Sequence, residues 1–117
     1  MALLTRQKIV EAGLTPVFSA AAGGGDTVSN ADGKTFLHIK NGGGSGITVT
    51  VVAETTTRED PHLGTLTKAS IAKAIGAGAE AIIGPLKKQA FNDEDNIVSI
   101  TYSGVTTVTV AALYIEY

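Results

Sequence analysis

The stretch Ile47-Thr48-Val49-Thr50-Val51 alternates β-branched apolar residues with threonine without interruption. A period of two does not fit a helix, whose apolar stripe repeats about every 3.6 residues; it puts alternate side chains on opposite faces of a strand. The same period governs Lys34 to Asn41, where Phe36, His38 and Lys40 share one face and Thr35, Leu37 and Ile39 the other. It returns in Ile97 to Ser103, and Val105 to Tyr117 reads as the last strand. Between these runs stand clusters of Gly, Asn, Asp and Ser, at 23–33, 42–46, 92–96 and 103–104, which are turn formers. A chain of 117 residues is the size of one domain. Six or more short strands with turns between them predict an all-β, single-domain antiparallel β-sandwich of jelly-roll or tulip-like type.

The pattern gives further expectations along the chain. The strands 34–41 and 47–53 predict a hairpin with Gly42 to Gly46 at its tip. The polar run 54–65 holds Pro61 and predicts a long surface loop. Residues 67–86 are alanine-rich, but Gly76, Gly78, Gly84 and Pro85 interrupt them too often for a helix, so two short strands are expected near 69–75 and 79–83. Residues 1–22 depart from the alternation. One reading is a short amphipathic helix with Thr5 as N-cap and Gly13 at its end; the other is an extended arm lying over another surface. The expected division is an N-terminal arm, 1–22, and a sandwich domain, 23–117.

Nine Lys and Arg against eleven Asp and Glu give a formal net charge of −2, which argues against a nucleic-acid partner. No segment approaches the length of a membrane helix, and the start of the chain lacks the apolar run of a signal peptide. The expectation is synthesis in the cytoplasm without a membrane partner. The chain has no cysteine, hence no disulfide, thiolate metal site or thiol nucleophile.

The glycine run 42–46 resembles a phosphate cradle only superficially. A P-loop continues into Lys-Ser/Thr and a helix, whereas Gly46 leads into the alternating strand Ile47-Thr48-Val49. The acidic run 92–96 lacks the alternating ligands, central glycine and flanking helices of an EF-hand, and reads as a solvated turn. His38 and His62 are the only histidines and lie far apart in sequence. No serine sits in a Gly-x-Ser-x-Gly elbow. Lys87-Lys88 is the one doubled basic patch and stands near the acidic turn. No catalytic residue, cofactor or metal ligand is expected, and no enzymatic activity.

Three stretches, "GKTFLHIKNGGGSGITVTV", "GPL" followed shortly by "FND", and "VSITYSGVTTVTVAAL", resemble small β-sandwich head-decoration (cement or auxiliary capsid) proteins of tailed bacteriophages. The likeness runs over about residues 14–113 and is one of strands and turns. The matching positions are Phe36 to Asn41, Ile47 to Val51, Gly84 to Leu86, Phe91 to Asp93 and Val98 to Ser103. The resemblance implies a structural protein on the capsid exterior of a virion, commonly a homotrimer, whose partner is the major capsid protein. Tail or connector subunits and carbohydrate-binding modules use similar sandwiches and are the alternatives. The segment expected to touch the capsid is the N-terminal arm, with Leu3, Leu4, Arg6, Ile9, Val10, Leu14, Val17 and Phe18 as its candidate contacts, because it departs from the core pattern.

Overall fold

A computed structural model describes residues 2–53, 57–62, 64–67, 70–86, 91–93 and 95–115. The described residues form twelve strands: β1 (Ala2–Leu4), β2 (Arg6–Ile9), β3 (Ser19–Ala20), β4 (Asp26–Ser29), β5 (Thr35–Asn41) and β6 (Ile47–Val51), followed by β7 (Thr57–Asp60), β8 (Gly64–Thr67), β9 (Ile71–Ile75), β10 (Glu80–Ile83), β11 (Ile97–Tyr102) and β12 (Val108–Ile115). Two five-stranded sheets pack face to face as a β-sandwich. Sheet A runs β1-β4-β11-β6-β9, and sheet B runs β10-β5-β12-β2, with β3 also paired to β12.

Burial follows the alternation. In β5, Thr35, Leu37, Ile39 and Asn41 are buried, and Phe36, His38 and Lys40 face outward. Val28, Val49, Val51, Val98 and Ile100 from sheet A meet Leu37, Ile39, Ile83, Val108, Val110 and Ala112 from sheet B. Leu86 and Phe91, from the connection between β10 and β11, complete this core.

The sheets are mixed rather than antiparallel throughout, and the N-terminal segment is the reason. β1 pairs in parallel with β4, and β2 pairs in parallel with β12. Residues 2–9 therefore do not form the short helix: they are extended, and they supply an edge to each sheet as the chain crosses between them at Thr5. Strand pairing outweighs the helical pattern because Leu4 can be buried opposite Val28 while Arg6 finds polar partners.

The expected hairpin over 34–53 does not form either. Both strands lie where they were expected, but β5 pairs with β10 and β12, while β6 pairs with β11 and β9. The five residues between them form an arch from sheet B to sheet A. At roughly 3.3 Å per residue, such a loop spans the ~10 Å between packed sheets. The connections β3–β4, β4–β5, β9–β10, β10–β11 and β11–β12 also change sheet. A strand with one apolar face buries it equally well beside its sequence neighbour or across the core from it. Alternation alone does not select between hairpin and arch.

The run 54–65 was expected to be a loop, yet β7 and β8 form a two-stranded antiparallel ladder around Pro61 and His62. The strands expected near 69–75 and 79–83 are present as β9 and β10, in different sheets. Lys87-Lys88 lies outside the described residues.

Candidate functional site

Buried polar side chains tie the arches together at each end of β5. Asn41, fully buried, donates from Nδ2 to the carbonyls of Ser45 (2.8 Å), Ile75 (3.1 Å) and Gly76 (3.2 Å), and its Oδ1 accepts from the Gly43 amide (3.1 Å). The Gly42 amide donates to Thr107 O (2.9 Å) and the Gly78 amide to Asn41 O (2.8 Å). Two arches, β5–β6 and β9–β10, thus converge on one side chain, and the Gly42 amide joins the β11–β12 connection to them. The glycine run has a packing role here: a Cβ at Gly43 would lie 2.8 Å from Thr106 O. This geometry makes the run a connector between the two sheets.

At the opposite end Asn30 is equally buried. Its Nδ2 donates to Leu86 O (3.0 Å) and Asn92 Oδ1 (2.8 Å), and its Oδ1 accepts from the Thr35 amide (3.2 Å). Asn92 donates back to Asn30 O (2.8 Å). In the acidic run, Asp93 Oδ1 accepts from the amides of Asp95 (2.8 Å) and Ile97 (3.0 Å), closing a turn.

A third buried polar group joins β4 to β11. The Tyr102 hydroxyl donates to Asp26 Oδ2 at 2.7 Å. Burial, and then the adjacent carboxylate, push the Tyr102 phenol well above its usual range. His38, on the outer face of sheet B, has Nε2 3.6 Å from Glu80, too long for a hydrogen bond. Among the described residues no group of three or more His, Asp or Glu is placed to hold a metal ion.

The N-terminal segment carries the most exposed apolar surface. Leu4 points into the core, whereas Leu3 is 66% exposed. Arg6 lies at the core-side edge of sheet B. Its Nη1 donates to Asp32 Oδ1 (2.9 Å), Asp32 Oδ2 (3.0 Å) and Thr35 Oγ1 (3.1 Å), and its guanidinium lies 4.2 Å from the Tyr114 ring centroid. Slight burial of Asp32 acts to raise its pKa, but the Lys34 amide and the Arg6 guanidinium outweigh it and hold the carboxyl below its ordinary value.

Beyond β2 the chain turns at Gly13 (φ +105°) and returns alongside it. The Gln7 side chain fastens this return: Nε2 donates to Val17 O (2.7 Å), and Oε1 accepts from the Val17 amide (2.8 Å). Phe18 then meets the His38 ring edge-on at 5.1 Å, and the Lys40 ammonium lies 4.2 Å from its centroid. Val17 is left 71% exposed.

Leu3 and Val17 line one open cleft of about 410 Å³, together with Gln7, Ala111 and Ala112, where β2 and β3 both meet the edge of β12. None of the residues lining it is charged. The candidate contacts expected along the N-terminal segment therefore separate. Leu4, Arg6 and Phe18 have internal packing or polar partners; Ile9 and Leu14 are half-buried; Val10 is 42% exposed; Leu3 and Val17 come together at the cleft. Sequence reasoning did not single out Ile82, which is 64% exposed on the far edge of sheet B, nor the tying roles of Asn30 and Asn41. An Asn directly flanking a strand, before a glycine or turn run, was the available signal for both. No protein-family model, no curated protein and no solved structure matches this chain.

Proposed function

We propose that this protein is a structural, non-enzymatic virion component. It binds the outer surface of a phage capsid, contacts the major capsid protein through its N-terminal segment and stabilises the expanded shell by bridging capsomers. The observation that carries this reading is the pairing of Leu3 and Val17 at an uncharged cleft on the side of the sandwich. Exposed apolar side chains gathered at one edge suit burial against a partner surface. The resemblance of the strand and turn pattern to decoration proteins supports the same role, with a jelly-roll or tulip-like winding and a homotrimer on the shell.

A decoration protein needs modest affinity per contact, because a shell presents many equivalent sites and neighbouring contacts raise the effective concentration. It also needs a body that holds its shape under load, and the Asn41 and Asn30 clusters fasten the sheet-changing connections at both ends of β5. The test is co-sedimentation of purified protein with expanded, undecorated phage capsids and, in parallel, with unexpanded procapsids. Saturable binding to expanded shells, at a whole number of copies per shell, is the expected result. Absence of binding to either shell would move the reading to a tail or connector subunit.

A further inference from the structure

We infer that Asn41-Gly42 is a latent modification site: a deamidating pair that the native fold holds inert and that unfolding releases, so that a chain left open marks itself irreversibly. Of the asparagines, Asn30, Asn41, Asn92 and Asn96, only Asn41 precedes a glycine. A glycine nitrogen has no neighbouring Cβ to shield it, and its backbone turns freely, so closure onto the preceding side-chain amide is easiest there.

The chemistry needs only water and a base. The Gly42 nitrogen gives its proton to a solvent base and attacks Asn41 Cγ. The Cγ–Nδ2 bond breaks, and Nδ2 leaves as ammonia with a proton taken from water. Water then opens the succinimide at either carbonyl. Breaking the bond from nitrogen to Cγ leaves an aspartyl residue; breaking the bond to the main-chain carbonyl carbon leaves an isoaspartyl linkage that runs through Cγ.

In the folded chain each reacting atom is occupied. The Gly42 amide donates to Thr107 O at 2.9 Å, which keeps its proton from a solvent base. Asn41 is buried, with Nδ2 committed to the carbonyls of Ser45, Ile75 and Gly76 and Oδ1 to the Gly43 amide. Swinging Cγ onto the Gly42 nitrogen breaks these bonds together. The pairing of Asn41 with Val108 holds the backbone extended besides.

The fold also retains both halves of the pair. A Cβ at Gly42 would lie 3.0 Å from Thr107 Cγ2 and 3.1 Å from Thr107 O, so a side chain there crowds the β11–β12 connection. Residue 41 must donate to three carbonyls and accept from an amide, which a carboxamide does and a carboxylate does not. That requirement makes the reaction self-inactivating. The aspartyl product sets a charge against carbonyl oxygens in the interior, and the isoaspartyl product adds a main-chain carbon at the end of β5, out of step with Val108.

The test incubates the full chain in native buffer and, in parallel, in urea above its unfolding midpoint, both at mildly alkaline pH. Peptide mapping by mass spectrometry follows position 41. Refolding is fast against so slow a reaction, so the native rate follows the open fraction and should lie roughly a thousandfold or more below the rate in urea. In urea, Asn41 should convert ahead of Asn30, Asn92 and Asn96, and Gly42→Ala should slow it roughly tenfold or more, in a setting where folding does not enter. On dilution from urea, unconverted chains should regain the native urea midpoint and converted chains should not. A native rate within roughly tenfold of the urea rate overturns the lock. Earlier conversion at another asparagine overturns the site, and converted chains that refold to the original midpoint overturn the self-inactivation.

Discussion

Asn41→Ala tests the claim that one side chain holds two arches. The native amide makes four hydrogen bonds, and they are not equivalent. The bond to Ile75 O is fully buried, while those to Ser45 O, Gly76 O and the Gly43 amide are partly open to water. Removing the amide leaves Ile75 O without this donor in the interior, a desolvation penalty of about 1–3 kcal/mol. The partly exposed groups recover bonds to water and lose only the net value of an internal bond, together about 1 kcal/mol. The expected loss is thus about 2–4 kcal/mol. For a domain of this size that lowers Tm by roughly 10 °C.

Urea melts followed by far-UV circular dichroism measure this directly, with an unchanged slope showing that the same surface is exposed on unfolding. Asn41→Asp sharpens the test. It keeps the acceptor for the Gly43 amide but sets a carboxylate against three carbonyl oxygens, so it should be at least as damaging as Ala. If Asn41→Ala unfolds within ~0.5 kcal/mol of wild type, the range of an ordinary surface change, the cluster does not tie the arches and the argument fails.

Three further outcomes follow from named contacts. Gly84→Ala sets a Cβ 2.6 Å from the Phe36 Cβ at φ +128°, and should cost on the order of 2–4 kcal/mol in a thermal melt. Tyr102→Phe removes the hydroxyl donor from buried Asp26 and should cost about 1.5–3 kcal/mol at neutral pH. The Tyr102 phenol is held up in the folded state, so its contribution is complete below the ordinary phenol pKa of 10.0 and declines as pH rises above it. The Phe variant should therefore lose stability less steeply in alkali, as read by urea midpoints across pH. Arg6→Ala should speed amide hydrogen exchange across residues 6–9 and cost about 1 kcal/mol, because the Asp32 pair is partly exposed. Asp32 is held below its usual pKa of 3.8, so its contribution is present above that value and lost as pH falls through the depressed one. Wild type and Arg6→Ala should accordingly converge in acid.

Strand identity was legible in the sequence for β5, β6 and β9 to β12, but β4 lies within the run 23–33 expected to be turns, and β7 and β8 lie largely in the expected loop. Val49, Val51, Val98, Ile100, Leu37 and Ile39 lie where a period of two places them. Sheet membership was not legible. Hairpin and arch bury the same residues of β5 and β6, and the difference lies in Asn41, whose amide reaches Ile75 and Gly76 across 34 and 35 residues of sequence. Local pattern holds no record of a contact at that range. The N-terminal segment was hard for a related reason. Its signal mixes Arg6 and Lys8 with Leu3, Leu4 and Ile9, and its parallel pairing depends on Asp32, Thr35 and Tyr114, which arrive from other parts of the chain. The candidate site was legible as a segment but not as a surface, since what separates Leu3 from Leu4 is which face of β1 meets the core.

Sheet edges connect this architecture to function. A sandwich leaves outer strands with backbone groups available to other chains, and charge on those strands discourages unwanted pairing. On β9, Lys73 lies opposite buried Val49, on the core-side register of an edge strand. Glu80 marks β10, and Arg6 and Lys8 mark β2. β1, with the sequence Ala-Leu-Leu, carries no charge and leaves Leu3 exposed beside the cleft. Three of the four edges of the two large sheets thus carry charge; β1, the edge of sheet A, does not, and its Leu3 reaches the cleft at the neighbouring edge of sheet B. If exposed apolar surface there merely reflected loose packing, nothing would require Gln7 to hold the Val17 backbone through both its amide atoms or Arg6 to anchor β2 through three acceptor atoms. Fixed backbone beneath exposed Leu3 and Val17 is the arrangement a binding surface needs, because a partner then does not have to order the segment as it docks.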